Sequence, residues 1–177
     1  MKAPNLPELI SPRLRLRAPI LDDFPSSLAM WSSPTVTRFI GGKPHRAEEV
    51  WARLLRYIGH WHALGYGYWS VETLEGQYVG EVGLADYRRD IDPPLGDSPE
   101  IGWALAPRAH GQGYASEAAT AALAWRDTAL PPGETVCIIA PEHAPSLRIA
   151  HKLGFRQTEE ALYHGNVRLI LRRATPA

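Results

Sequence analysis

The stretch Arg108-Ala-His-Gly-Gln-Gly-Tyr-Ala115 holds the residues whose types and spacing point most directly to chemistry. A mostly apolar run, Glu100–Ala106, leads into it, and an alanine-rich helix is expected to start at Tyr114. Free N–H groups at a helix start, with the positive end of the helix dipole behind them, make an anion site. Gly111 and Gly113 lack the Cβ atoms that would keep a bulky pyrophosphate off the main chain. Ala115, Ala118, Ala119 and Ala122 share one helical face, so the helix can lie close to a sheet with its N-terminus at the strand end. The local reading is a diphosphate-bearing ligand at Arg108–Ala115; a purely structural glycine turn is the alternative. A Walker P-loop is excluded because no Gly-Lys-Ser/Thr follows the glycines. The dinucleotide fingerprint fits Gly111 and Gly113, but Ser116 takes its third glycine position and Glu134 opens the next strand where an acidic residue should end it. His60 and His62 have the look of a metal pair, yet no third ligand stands nearby, and no metal is expected. Cys137, inside an apolar strand, reads as packing.

The elements that must position this turn follow from periodicity. Arg13–Arg17 alternates strictly, with Leu14 and Leu16 inward and three arginines on a solvated face near a sheet edge. Asp22 and Asp23 open a short helix to about Trp31, and Ser32–Pro44, with two prolines and two adjacent glycines, reads as a loop. Val50, Leu54, Tyr57, Ile58 and Trp61 recur at helical spacing within Arg46–Leu64, and Gly65 is placed to cap its end. Strands are expected at Gly67–Leu74 and Tyr78–Ala85, joined by Glu75-Gly76-Gln77. The three prolines of Asp90–Pro99 mark a loop. Beyond the helix Tyr114–Leu130 come a strand at Glu134–Ala140 and a short helix at Pro145–Leu153, closed by Gly154. A terminal hairpin pairs Arg156–Tyr163 with Val167–Arg173. The order predicts an α+β domain: one mixed, mostly antiparallel sheet of about seven strands with about four helices on both faces.

Composition bounds the rest. The 177 residues suit one domain, 1–177, with its core at about 11–173. A chain of this size buries about 70% of its surface on folding, enough for a core without staples, and a single cysteine allows no internal disulfide. Nineteen basic residues cancel nineteen acidic ones, so no net field draws nucleic acid or a membrane surface. No apolar run approaches the roughly 20 residues of a bilayer span. Met1–Leu9 carries Pro4, Asn5, Pro7 and Glu8 in place of a signal peptide's apolar core, and a cytoplasmic location is expected.

Arg108-Ala-His-Gly-Gln-Gly113 matches the Arg/Gln-x-x-Gly-x-Gly/Ala signature of the GCN5-related N-acetyltransferases, and the chain resembles that family in four further places. Glu-Ile-Gly-Trp before the turn and Tyr-Ala-Ser-Glu-Ala after it are similar to the ribosomal-protein-alanine N-acetyltransferase subgroup. So are Ala144–Phe155, ending in Lys-Leu-Gly-Phe, and the opening Ser11-Pro-Arg-Leu-Arg-Leu-Arg17; together they span about residues 11–172 in order. The resemblance implies acetyl-CoA as co-substrate, its pyrophosphate cradled by Arg108, Ala109, His110, Gly111, Gln112, Gly113, Tyr114 and Ala115. The backbone of Trp103, Ala104, Leu105 and Ala106 would run beside the pantetheine arm, in a groove where the sheet splays open before Val136–Ala140. The acceptor would enter over the Ser32–Pro44 and Asp90–Pro99 loops, with Trp69 and Trp103 as candidate pocket walls.

By the same resemblance Glu100 is the candidate general base; a strand-end glutamate that bonds a loop or holds substrate is the alternative. Ser146 is the candidate partner of the departing thiolate, or else a helix-capping serine. Two positions depart from the family: His143 stands where an asparagine contacts pantetheine, and Ala150 where many relatives place tyrosine. Arg148 and Lys152 suit either the 3′-phosphate of CoA or a wet helix face. The implied activity is direct acetyl transfer in a ternary complex to a primary amine, a protein N-terminus first and a small-molecule amine second. A homodimer fits as well as a monomer. A non-catalytic acyl-CoA-binding module is the alternative that His143 and Ala150 favour.

Overall fold

Alternation and helical spacing set most element boundaries in the computed structural model, which describes residues 6–176. Of the N-terminal stretch Met1–Leu9, residues 1–5 lie outside the described residues. In chain order the elements are β1 (Leu9–Ile10), β2 (Leu14–Arg17), α1 (Phe24–Trp31), α2 (Pro34–Thr37), α3 (Ala47–Leu64), β3 (Tyr68–Thr73), β4 (Tyr78–Ala85) and β5 (Glu100–Leu105), followed by α4 (Tyr114–Ala129), β6 (Glu134–Ile139), α5 (Ala144–Lys152), β7 (Arg156–Tyr163) and β8 (Asn166–Ala174). All strands join one sheet in the order β1-β2-β3-β4-β5-β6-β8-β7, antiparallel except for β5–β6. Eight strands replace the seven expected, because the two-residue β1 is too short to leave an alternating pattern. The fifth helix, α2, is a single turn inside the Ser32–Pro44 loop.

Two apolar layers cover the sheet. Neighbouring strand residues project to opposite faces, and the core splits accordingly: Leu105, Val79 and Trp69 join Ala118, Ala119, Ala122 and Leu123 of α4, whereas Ala104 and Tyr78 join Met30 and Trp31 of α1 and Val50 of α3. β4 is buried along its whole length because helices cover it on both sides. The small alanines let α4 lie directly on the central strands, which holds its first turn against the end of β5. Helix α3 starts where Glu49 reaches back to the Arg46 N–H at 2.8 Å, and stops at Gly65 in the left-handed region. No helix among the described residues is long and apolar enough to cross a membrane.

The three alternating arginines are not a merely solvated face. Arg17 is largely buried and pairs with both Asp23 (2.7 Å) and Glu72 (2.8 Å). Arg13 reaches across to Glu117 (2.7 Å) and donates to the Gln112 carbonyl (3.0 Å), tying β2 to the glycine turn. Each arginine has a carboxylate partner on a neighbouring element, which periodicity cannot reveal.

Candidate active site

The central strands part company at Glu100. β5 is paired along its length with β4, from Gly80↔Leu105 to Ala85↔Glu100. With β6 it shares one register pair, Glu100↔Val136, next to a bond from the Val136 N–H to the Pro99 carbonyl at 3.0 Å. Beyond that vertex the β6-facing edge of β5 has no strand partner, and its free main-chain groups suit a ligand lying as a surrogate strand.

At the far end of β5 the chain turns through Pro107–Ala109 into α4. Gly111 (φ +75°) and Gly113 (φ +79°) both occupy the left-handed region, where only glycine is unstrained. Among the described residues no acceptor meets the N–H groups from Gly111 to Ser116, and a Cβ on Gly111 would have open space around it. Side chains hold the turn from behind: Arg108 donates to the Tyr78 carbonyl (2.6 Å), Gln112 to the Arg108 carbonyl (2.8 Å), and His110 Nε2 lies 2.8 Å from the Leu105 carbonyl oxygen. The turn is a preformed cradle of main-chain donors at a helix N-terminus, the geometry that favours a phosphate group.

A cavity of about 880 Å³ opens beside the vertex. Its cofactor-strand wall carries Trp103, Ile139, His143 and Ser146, and its opposite wall carries Arg53, Tyr57, Tyr68 and Tyr87. Glu100 sits between them, 6% exposed. Both its oxygens accept from Arg89, at 2.6 and 2.8 Å, and Arg89 also donates to the Tyr163 hydroxyl at 3.0 Å. Ser146 Oγ accepts from Trp103 Nε1 (3.2 Å) and lies 3.4 Å from His143 Nε2, so these three residues bridge β5 and α5 across the groove. Phe39 stacks on the His143 ring at 4.5 Å and closes that side. Tyr57 and Tyr68 stack at 4.2 Å, and burial pushes both phenols well above the ordinary range, so they act as neutral hydroxyls. The Tyr68 hydroxyl points at Gly102, where any Cβ would collide with it; the glycine of Glu-Ile-Gly-Trp is needed by the acceptor wall.

Several sequence expectations land elsewhere. The Asp90–Pro99 loop does not line the cavity: Ile91 is buried against Val136, Ala161 and Ile170, and Asp92 bridges to Leu162. The β7–β8 turn takes its place through Tyr163, His164 and Asn166. Trp103 lines the cavity, whereas Trp69 is in the core against Trp61 and Trp125. Arg148 and Lys152 are exposed and lie outside it. His60 is buried with Nε2 3.1 Å from the Asp86 carbonyl oxygen, while His62 is exposed. Cys137 is buried, and burial raises its thiol far above reactivity. Arg53, Tyr68, Tyr87 and Arg89 were not legible, because each meets the site only through contacts distant in sequence.

Burial lowers the proton affinity of His143, helped by the nearby charge of His110, and burial with the Arg53 charge does the same to His45. The unfolded chain therefore takes up these protons first as pH falls below the ordinary histidine value of 6.5. Their stability contribution is present above that pH and is lost as pH drops toward their lower folded values. The melting temperature should fall as pH drops below about 6.5, and His143→Asn should flatten part of that slope. An unchanged slope in the variant would refute the assignment to His143.

Comparisons with known proteins identify the family and the fold. Residues 13–156 match the family described as Acetyltransferase (GNAT) domain. A GnaT-family acetyltransferase from Bordetella pertussis is 31% identical, with 95% of this chain and 99% of that one covered at a TM-score of 0.83. The ribosomal L7/L12 alpha-N-protein acetyltransferase RimL, solved with coenzyme A, is 16% identical with 95% and 98% covered and a TM-score of 0.78. Spermidine N-acetyltransferase from Vibrio cholerae, solved with CoA and spermine, is 18% identical with 93% and 97% covered and a TM-score of 0.74. The last two share the fold.

Proposed function

Since the chain belongs to the acetyltransferase (GNAT) family, and is thus an acyltransferase, we propose that it moves the acetyl group of acetyl-CoA to a primary amine by direct attack, with donor and acceptor bound together. The observation that carries this reading is the run of unpaired N–H groups from Gly111 to Ser116 at the end of a strand whose edge is open. That cradle fits the CoA pyrophosphate, held by the main-chain N–H groups from Gly111 to Ala115; the Ala109 and His110 N–H groups, expected from the sequence to join it, are spent on the Ala106 and Pro107 carbonyls, so with Arg108 they shape the turn from behind. The free edge of Trp103, Ala104 and Leu105 fits the pantetheine amides, and His143 and Ser146 face it across the groove. When bound, acetyl-CoA supplies a thioester that a neutral amine can attack.

The chain's own residues then have three tasks. Glu100, at the vertex, takes the amine proton directly or through one water, using the lone pairs that its two bonds to Arg89 leave free. Arg89, gripped by Glu100 and Tyr163, fixes the carboxylate's orientation. Ser146, whose oxygen already accepts from Trp103, has its hydroxyl hydrogen free to turn toward the sulfur or to His143. Serine is a weak acid, so its share is positioning as much as proton transfer. A polypeptide N-terminus is the acceptor favoured by likeness to the ribosomal-protein enzymes, and small amines come second.

Acetyl-CoA should raise the melting temperature, since a ligand of the native state stabilises by mass action, about 2.7 kcal/mol at a hundredfold excess over Kd. ATP and NAD should do much less. Free thiol should appear when acetyl-CoA meets N-terminal peptides or small amines. Equal stabilisation by NAD would reverse the assignment of the turn. Absence of thiol release with every amine would leave an acyl-CoA-binding module.

A further inference from the structure

The charge of the cavity singles out one class of acceptor. Arg38, Arg53, Arg56, Arg89 and Arg168 line it, against Glu100 and Glu142. Arg89 and Glu100 cancel in their paired contact. Four arginines are left facing one exposed carboxylate, in a protein whose overall charge is zero. None of the four has a carboxylate within 4.0 Å among the described residues.

Arg53 is the most informative of them. Its guanidinium carbon lies 3.9 Å over the Trp31 ring, and Nη1 donates to the Tyr57 hydroxyl at 3.1 Å. Its Nε is buried without an acceptor, and Nη2 lies 3.5 Å from His45 Nδ1, so a ligand meets the remaining hydrogens of the two terminal nitrogens. The charge of Glu81 acts on Arg53 through space, but that carboxylate is buried, accepts from Ser27, Trp31 Nε1 and Tyr78, and does not line the cavity. A desolvated cation without a counter-ion is costly, whereas an aromatic-backed guanidinium with spare donors is well formed to grip a carboxylate. Arg56, against the Tyr87 ring, and Arg38, against Phe39, line the same cavity.

We propose that the acceptor amine carries an anionic group, a carboxylate in first place, which Arg53 binds with Arg56 and Arg38 while the amine points to Glu100. This rests on the acetyl-transfer reading above. Both an N-terminal peptide with acidic residues next to its amino end and a free acidic amino acid present that chemistry. Polycations such as spermidine would meet like charge.

The test compares kcat/KM for Ala-Glu-Glu-amide, Ala-Lys-Lys-amide, free glutamate and spermidine by thiol release, alongside calorimetric binding of the two peptides to the protein saturated with CoA. The acidic peptide or glutamate should exceed both cationic amines by at least about tenfold, an advantage that salt reduces. The ratio of peptide to glutamate identifies the source. Arg53→Met should shrink the preference to within about threefold through a raised KM, with acetyl-CoA affinity retained. If that variant does not fold, Arg56→Gln, exposed and away from the core, should shrink the same ratio in part. Equal or better use of a cationic amine, or a preference that survives these variants, overturns the proposal. Should no amine release thiol, the acetyl-transfer reading fails by itself. Calorimetry then decides the charge selectivity: Arg53-dependent binding of the acidic peptide upholds it, and no difference between the peptides refutes it.

Discussion

Glu100→Gln should lower kcat by about 10²-fold or more, the range lost with a general base, or roughly 3 kcal/mol in barrier. Glutamine keeps the shape but cannot take a proton at the vertex where β5 and β6 part. The affinity for acetyl-CoA should barely change, because the side chain faces the acceptor wall and lies a strand's length from the glycine turn. The deficit should narrow as pH rises, since more amine is then neutral without help. The ion pair needs its own control: a fully buried arginine that loses its partner costs about 3–5 kcal/mol in stability, and the half-buried Arg89 should cost a part of that. Glu100→Gln with Arg89→Met removes both charges. The double variant should recover the melting temperature and stay slow, which separates folding from catalysis. If Glu100→Gln raises only the acceptor KM, with kcat and its pH profile intact, Glu100 holds substrate and is not the base.

Gly111→Val should weaken acetyl-CoA binding on the order of 10²-fold, about 2.7 kcal/mol. Two effects add. At φ +75° a residue with a Cβ is strained, by about 1–2 kcal/mol, and the loop can relieve that strain only by turning its N–H groups away from a common point. The branched side chain would also occupy open space beside the cradle, where, its chain neighbours aside, no atom of the described residues lies within 4 Å of the Cβ. That same openness predicts that the fold survives, as native stabilities of about 5–15 kcal/mol exceed the strain. Calorimetry with acetyl-CoA, beside a melting curve of the free protein, reads both. An unchanged Kd in a folded variant would show that the pyrophosphate binds elsewhere.

What the chain settles alone is whatever depends on neighbours in sequence. β4 and β7 run over the residues that alternation and apolar runs indicate, and α3 ends at its left-handed glycine. The cradle is equally local: two glycines, a strand before and a small-residue helix after lie within about 16 residues, so composition and spacing suffice. One helical turn at Pro34–Thr37 and the short β1 escape because they are too brief to show a period.

The acceptor side is tertiary throughout. Glu100 meets Arg89 across 11 residues and Arg89 meets Tyr163 across 74, a contact made only because the β7–β8 hairpin folds back toward the vertex. Trp103 reaches Ser146 across 43 residues. The Asp90–Pro99 loop leaves the cavity because Ile91 has an apolar seat under the terminal hairpin, and loop sequences carry no period that would announce such a seat. Arg53 reads as an ordinary helix arginine until α3 is laid against β3 and its guanidinium is seen to face the cavity without an acid. Periodicity says which side of an element faces inward. Which charges then meet, and which are left facing a ligand, is decided by strand order and by where the sheet opens.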